Sequence, residues 1–140
     1  MRFMLLLKAD ARTEAGVLPD EKTVSDMMKY NEELVRAGVL LAGEGLQASA
    51  KGARVYFAKG GRTVVDGPFP ETEELVAGFW MIQVKSKEEA IEWVKRCPSP
   101  RAGDAQIEIR QVFEPADFAE SIPAELLERE ERMRTQVAKQ

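Results

Sequence analysis

Residues 78–100 read GFWMIQVKSKEEAIEWVKRCPSP. Trp80, Ile82 and Val84 alternate onto one side, Phe79 and Met81 onto the other. That pattern predicts a strand covered on both faces. Ser86-Lys87-Glu88-Glu89 then matches a helix-start box, in which the serine oxygen caps the third helical amide and the glutamate reaches back to the serine amide. Ala90, Ile91, Val94 and Cys97 fall on one stripe at helical spacing, and Pro98 and Pro100 stop the helix. AQIEIRQVF (105–113) follows as a strand, with Ile107 and Ile109 facing one way and Glu108 and Arg110 the other.

The N-terminal third repeats this order. RFMLLLK (2–8) is another strand with two apolar faces, and ADARTEAGVLPD (9–20) reads as a loop broken by Gly16 and Pro19. A helix is expected from near Asp20 to just before Gly38, with Val24, Met27, Met28, Leu34 and Val35 on its buried stripe. Asn31 lies in the middle of that stripe, where an apolar residue is expected. VLLAGEGLQ (39–47) is a strand whose Gly43 and Gly45 mark a bulge or a close backbone approach. Between the two halves, ARVYFA (53–58) and RTVVDGPF (62–69), joined through Lys59-Gly60-Gly61, form a hairpin. The order β-α-β, hairpin, β-α-β is that of a ferredoxin-like α+β sandwich with an inserted hairpin. Both main helices then cover one sheet face. The other face is left apolar and open, which predicts a homodimer packed sheet to sheet. Residues 1–115 make this domain. Residues 116–140 are a charge-rich peripheral helical extension with a thin apolar edge at Ile122, Leu126, Leu127 and Met133.

A chain of 140 residues with 44% apolar and 31% charged composition needs neither disulfide nor metal to fold. The net charge is −4, with both signs mixed along the chain, so neither nucleic acid nor a membrane surface is an expected partner. MRFMLLLKAD is too short an apolar run to span a bilayer and carries no cleavage site. With one cysteine, Cys97, the chain is expected in the cytoplasm. There is no histidine, so acid–base work would fall to carboxylates, Lys, Tyr or the thiol. No cofactor signature occurs: there is no phosphate-binding loop, dinucleotide glycine motif or metal-ligand spacing.

GVLLAGEGLQ (38–47), VVDGPFPETEELVAGFWMIQV (64–84) and the Cys97-Pro98 pair resemble the YCII-related family. More closely, they resemble its DGPF-domain branch, through Asp66, Gly67, Pro68 and Phe69. The resemblance covers roughly residues 1–113 and implies a ferredoxin-like dimeric α/β barrel. It further implies an aspartate working in a small pocket, in related proteins together with a histidine, and in one branch the elimination of chloride from a ring-cleavage product. Asp66 matches the aspartate of the motif, and no histidine exists here to partner it.

The candidate residues each carry two readings. Asp66 is a turn residue accepting downstream amides, or a general acid–base in a pocket walled by Phe69, Phe79 and Trp80. Glu44, between two glycines, is a solvated bulge residue or a ligand contact. Asn31 is a satisfied buried amide or a polar group aimed into a pocket. Glu108 and Arg110 are an ion pair at a sheet edge or a grip on a polar ligand. Glu71, Glu73 and Glu74 read as a solvated acidic turn, and Cys97 as core. Two functions follow. One is a cofactor-free lyase or isomerase acting on a small organic acid, with Asp66 moving the proton and Arg110 or Lys8 holding charge. The other is a non-catalytic module that binds a metabolite or a protein, in a stress or regulatory pathway.

Overall fold

The structure, a computed structural model, describes residues 1–101 and 103–140. Strands β1 (Arg2–Lys8), β2 (Leu40–Gly45), β5 (Val76–Gln83) and β6 (Ile107–Gln111) form one sheet in the order β2-β5-β1-β6. Every neighbouring pair is antiparallel, so β1 runs parallel to β2 and β5 parallel to β6 without touching. That is the ferredoxin-like topology expected from the element order. Helices α2 (Glu21–Arg36) and α3 (Lys87–Lys95) pack on one face. Strands β3 (Ala53–Ala58) and β4 (Gly61–Asp66) form a separate two-stranded sheet. A final helix, α4 (Ala124–Ala138), is exposed along most of its length.

The core follows from strand alternation. Phe3 and Leu5 of β1, Trp80 and Ile82 of β5, and Val84 meet Tyr30 and Leu34 of α2 and Ala90 of α3. Phe3, Leu5, Leu34 and Ile82 are essentially inaccessible, and each such side chain contributes about 2 kcal/mol by leaving water. The second residues of the same strands, Met4, Leu6, Phe79 and Met81, face the other way and are only half-buried.

Local chemistry sets the helix ends. Asp20 Oδ1 accepts from the Thr23 amide at 2.8 Å and starts α2. Gly38, at φ +72°, ends it, with the Gly38 amide donating to Val35 O and the Val39 amide to Leu34 O. That is the pair of hydrogen bonds of a left-handed C-terminal cap. Ser86 Oγ caps α3 as expected, accepting from the Glu89 amide at 3.1 Å. Glu89 reaches one residue further back than the box predicts and accepts from the Lys85 amide at 2.8 Å. β5 ends at Gln83, so the Lys85 amide has no ladder partner of its own.

Two expectations change. The segment 9–20 is not all loop. Ala11–Glu14 makes one helical turn, α1, because Asp10 Oδ1 accepts from the Thr13 amide at 2.8 Å while Thr13 Oγ1 accepts from the Asp10 amide at 2.9 Å. The fully buried residues of α2 lie in its second half, and not every position of the expected stripe is covered. Tyr30 and Leu34 are core, whereas Val24, Met28 and Val35 are exposed.

Candidate functional site

The exposed half of that stripe faces a cavity of about 720 Å³. It lies at the ends of β1 and β2, on the helix side of the sheet, under the first turns of α2. Val24, Met27, Met28, Leu18, Leu46 and Trp80 supply its apolar wall. Leu18 and Met28, 83% and 59% exposed, stand at its open side.

Asn31 is the polar residue placed deepest in this apolar stripe. The Trp80 Nε1–H donates to its Oδ1 at 2.8 Å. An indole can only donate, so the bond fixes which end of the amide is which. Asn31 Nδ2 has no protein partner among the described residues, and no buried side-chain polar atom is left without one. The free amide donors therefore reach solvent, and Asn31 lines the cavity. Trp80 is itself held. It is 7% exposed and meets Tyr30 edge to face, with centroids 6.1 Å apart, and Tyr30 Oη donates to Trp93 O at 2.7 Å. Burial drives the Tyr30 phenol well above its ordinary range, so it stays a neutral donor. Gly43 leaves room for the indole, since a Cβ there would sit 3.3 Å from Trp80 Cδ1.

The rim is polar. Arg101 Nε lies 3.2 Å from Asp10 Oδ2 and also donates to Asp104 O at 2.7 Å. The Asp10 carboxyl is pulled below its usual value, first by the Thr13 amide, then by the Thr13 hydroxyl and the Arg101 charge against a desolvation cost. A carboxyl depressed in the fold contributes stability at pH above its unfolded value and loses it as pH falls through the folded one. Asp10→Ala is expected to cost about 1 kcal/mol at neutral pH. The gap from wild type should close as pH drops from about 5 to 3. Urea unfolding across that range checks it, and a gap independent of pH would refute the sign.

The residues singled out in the sequence separate into three places. Asn31 and Trp80 meet in the cavity. Glu44 pairs with Phe79, Phe79 with Leu6, and Leu6 with Glu108, so by strand alternation Glu44 and Glu108 flank the open sheet face, with Arg110 beside Met4. Glu108 lies 3.6 Å from Lys8 Nζ and 3.3 Å from Arg110 Nη1. Glu44 borders the cavity from the β2 edge, but its side chain belongs to the opposite face. The third place is the DGPF loop. Asp66 is exposed at the end of β4, in register with Ala53, and is not among the cavity residues. Two of the three aromatic walls expected around it belong to the four-stranded sheet, Trp80 in the core and Phe79 on the open face, while the Phe69 ring lies 3.9 Å beneath the Arg54 guanidinium. Glu71 of the acidic turn ion-pairs with Arg54 at 3.2 Å. Cys97 packs on the core, and burial raises its thiol to about 11.

The same loop is docked on the 3₁₀ turn Ser49–Lys51. The Gly67 amide donates to Gly52 O at 3.0 Å, and the Phe69 amide to Ser49 Oγ at 3.0 Å. The Gly67–Pro68 peptide is cis. Ser49 in turn donates to Glu14 of α1 through its amide, at 3.0 Å, and through its hydroxyl. Sequence reasoning missed Glu14, Ser49 and the α1 wall. The Asp10-x-x-Thr13 spacing was the signal that could have revealed α1.

Among the described residues no helix is long and apolar enough to cross a membrane, and no three acidic or cysteine side chains converge to hold a metal.

A ferredoxin-like α+β sandwich with a pocket between sheet and helices is thus the class of molecule defined by fold and site. The YCII-related domain model matches residues 1–115, and the chain belongs to the YCII-related family. It is 27% identical over 101 residues to the uncharacterized protein R00369 of Rhizobium meliloti (strain 1021), a match spanning 71% of this chain and 82% of that one. It is also similar to 5-chloro-2-hydroxyhydroquinone dehydrochlorinase (TftG) of Burkholderia phenoliruptrix AC1100, solved with 2,5-dihydroxybenzoquinone. That likeness has a TM-score of 0.47 and 14% identity, over 81% of this chain and 95% of that one.

Proposed function

We propose that this protein binds a small, mainly apolar organic molecule bearing a hydrogen-bond acceptor, in the cavity beneath α2. One observation carries this reading: Asn31 is locked by the Trp80 indole with its amide donors uncommitted, among the apolar side chains Val24, Met27, Met28 and Leu46 of a cavity whose rim is polar. Pockets of this kind take orientation from a few placed polar groups and affinity from apolar area. Proton transfer by Asp66 on an organic acid is supported less well, because Asp66 is exposed and off the cavity.

The test uses anilinonaphthalene sulfonate, an aromatic anion whose sulfonate accepts hydrogen bonds. Saturable one-site binding, read by energy transfer from tryptophan, is expected. Asn31→Leu keeps the wall apolar and removes the donors, so it should weaken binding about tenfold. Absence of saturable binding, or unchanged affinity in Asn31→Leu, would remove the reading.

The assembly we propose is a homodimer through the open sheet face. Met4, Leu6, Phe79 and Met81 form a continuous half-buried apolar strip across β1 and β5. The strip is bordered by Glu44 on the β2 edge and Arg110 on the β6 edge. A two-fold axis along the strands would bring the β2 edge of one copy over the β6 edge of the other, where Glu44 meets Glu108, itself paired with Lys8 and Arg110.

A further inference from the structure

We infer that Glu14 and Ser49 are positioning residues for the cavity, and that the DGPF loop holds the cavity's outer wall through them. The inference rests on the cavity being the binding site proposed above. The wall is α1 and the residues after it. Arg12, Thr13, Gly16 and Val17 line the cavity, and one helical turn of four residues cannot hold its own shape. Its local bonds, the Asp10–Thr13 box and the Gly16 and Val17 amides to Thr13 O and Arg12 O, order the turn internally. They do not set where it stands relative to the sheet. Besides the Ala9 amide bond to Leu75 O just before the turn, two side-chain anchors do that.

On one side, Asp10 is tied to Arg101 at 3.2 Å. On the other, both carboxylate oxygens of Glu14 accept from Ser49, one from its amide and one from its hydroxyl. The Ser49 hydroxyl spends its proton on Glu14, and its lone pair receives the Phe69 amide at 3.0 Å. Glu14, Ser49 and Phe69 are thus links of one chain from the cavity wall to the motif loop. Each link is charge-assisted or polarised by its neighbour. The loop end is closely packed, because Gly67 lies against the Ser49 carbonyl too closely for any side chain. The side chain of Asp66, the acidic residue of the motif, has no hydrogen-bond or ion-pair partner among the described residues.

The chain is tested by a readout that needs no ligand. In a Trp93→Phe background, Trp80 is the sole tryptophan, and acrylamide quenching of folded protein reports access to the cavity. Glu14→Ala and Ser49→Ala should each raise the Trp80 quenching constant about twofold or more. The double variant should add little to either, and Asp66→Asn should leave quenching unchanged. Glu14→Ala should also speed hydrogen exchange at the Phe69 amide about tenfold, although Glu14 does not touch Phe69. Lower stability with unchanged folded-state quenching would reduce both residues to a structural role and overturn the inference.

If the variants do not fold, exchange in the unaltered protein decides. Common protection of the Gly16, Val17, Ser49 and Phe69 amides supports the chain. Free exchange at Gly16 and Val17 beside a protected Phe69 overturns it. Failure of the binding proposal reads differently, as no saturable probe binding in the wild type while the quenching pattern persists.

Discussion

Gly67→Ala is expected to destabilise the protein by ~3 kcal/mol, the largest effect of any glycine-to-alanine change in the chain. An ideal Cβ at this position would lie 1.8 Å from Ser49 O and 2.6 Å from Ser49 C. That is well inside the roughly 3.5 Å at which such atoms attract. Neither side can move away cheaply. The Gly67 amide is committed to Gly52 O, the Gly52 amide to Ser49 O, and Ser49 is held at both its amide and its hydroxyl. The backbone that must shift is the turn joining the DGPF loop to α1, so the damage should reach the cavity as well as the hairpin. Gly61→Ala is the control. It lies in β4 with nothing within 4 Å of the added carbon and no positive φ, so its effect should be near zero. Urea unfolding of the two variants side by side measures the difference. Equal midpoints would show that the loop is not docked as described.

Met81→Asp should split the proposed dimer while leaving the single chain folded. Met81 sits mid-strip, opposite Met4 on β1 and Ala42 on β2, and is half-buried in one copy. A carboxylate there stays hydrated in the monomer. In a sheet-to-sheet pair the two-fold axis duplicates it, and two unpaired charges lose water together. A cost of several kcal/mol raises the dissociation constant ~1000-fold or more. Sedimentation velocity at micromolar concentration reads this directly, with thermal unfolding as the check on the fold. A wild type that sediments as a monomer removes the homodimer, and a Met81→Asp dimer places the interface elsewhere.

Much of the architecture was legible because it is local or periodic. Alternation in GFWMIQV and RFMLLLK identified strands with two apolar faces, and Phe3, Leu5, Trp80 and Ile82 are indeed core. Asp20, Gly38 and Ser86 mark helix ends by capping chemistry that acts within three residues. The stripe of α2 was legible as a stripe, but periodicity records only that one side is apolar. It does not say whether that side meets a neighbour, as at Leu34, or a concavity, as at Met28.

For the site, sequence alone picked Asn31 as the polar residue breaking an apolar run, and it marked DGPF as an unusual turn. It determined the α+β order, the helix boundaries and the two-faced strands, because those depend on residues close in the chain. Only the tertiary structure decided that Asn31 meets Trp80, 49 residues away, and that Glu44, Glu108 and Arg110 belong to the opposite sheet face. It also decided that the DGPF loop clamps Ser49 and, through it, the cavity wall. Those pairings depend on register and on close backbone approach between distant segments, and neither leaves a local pattern to read.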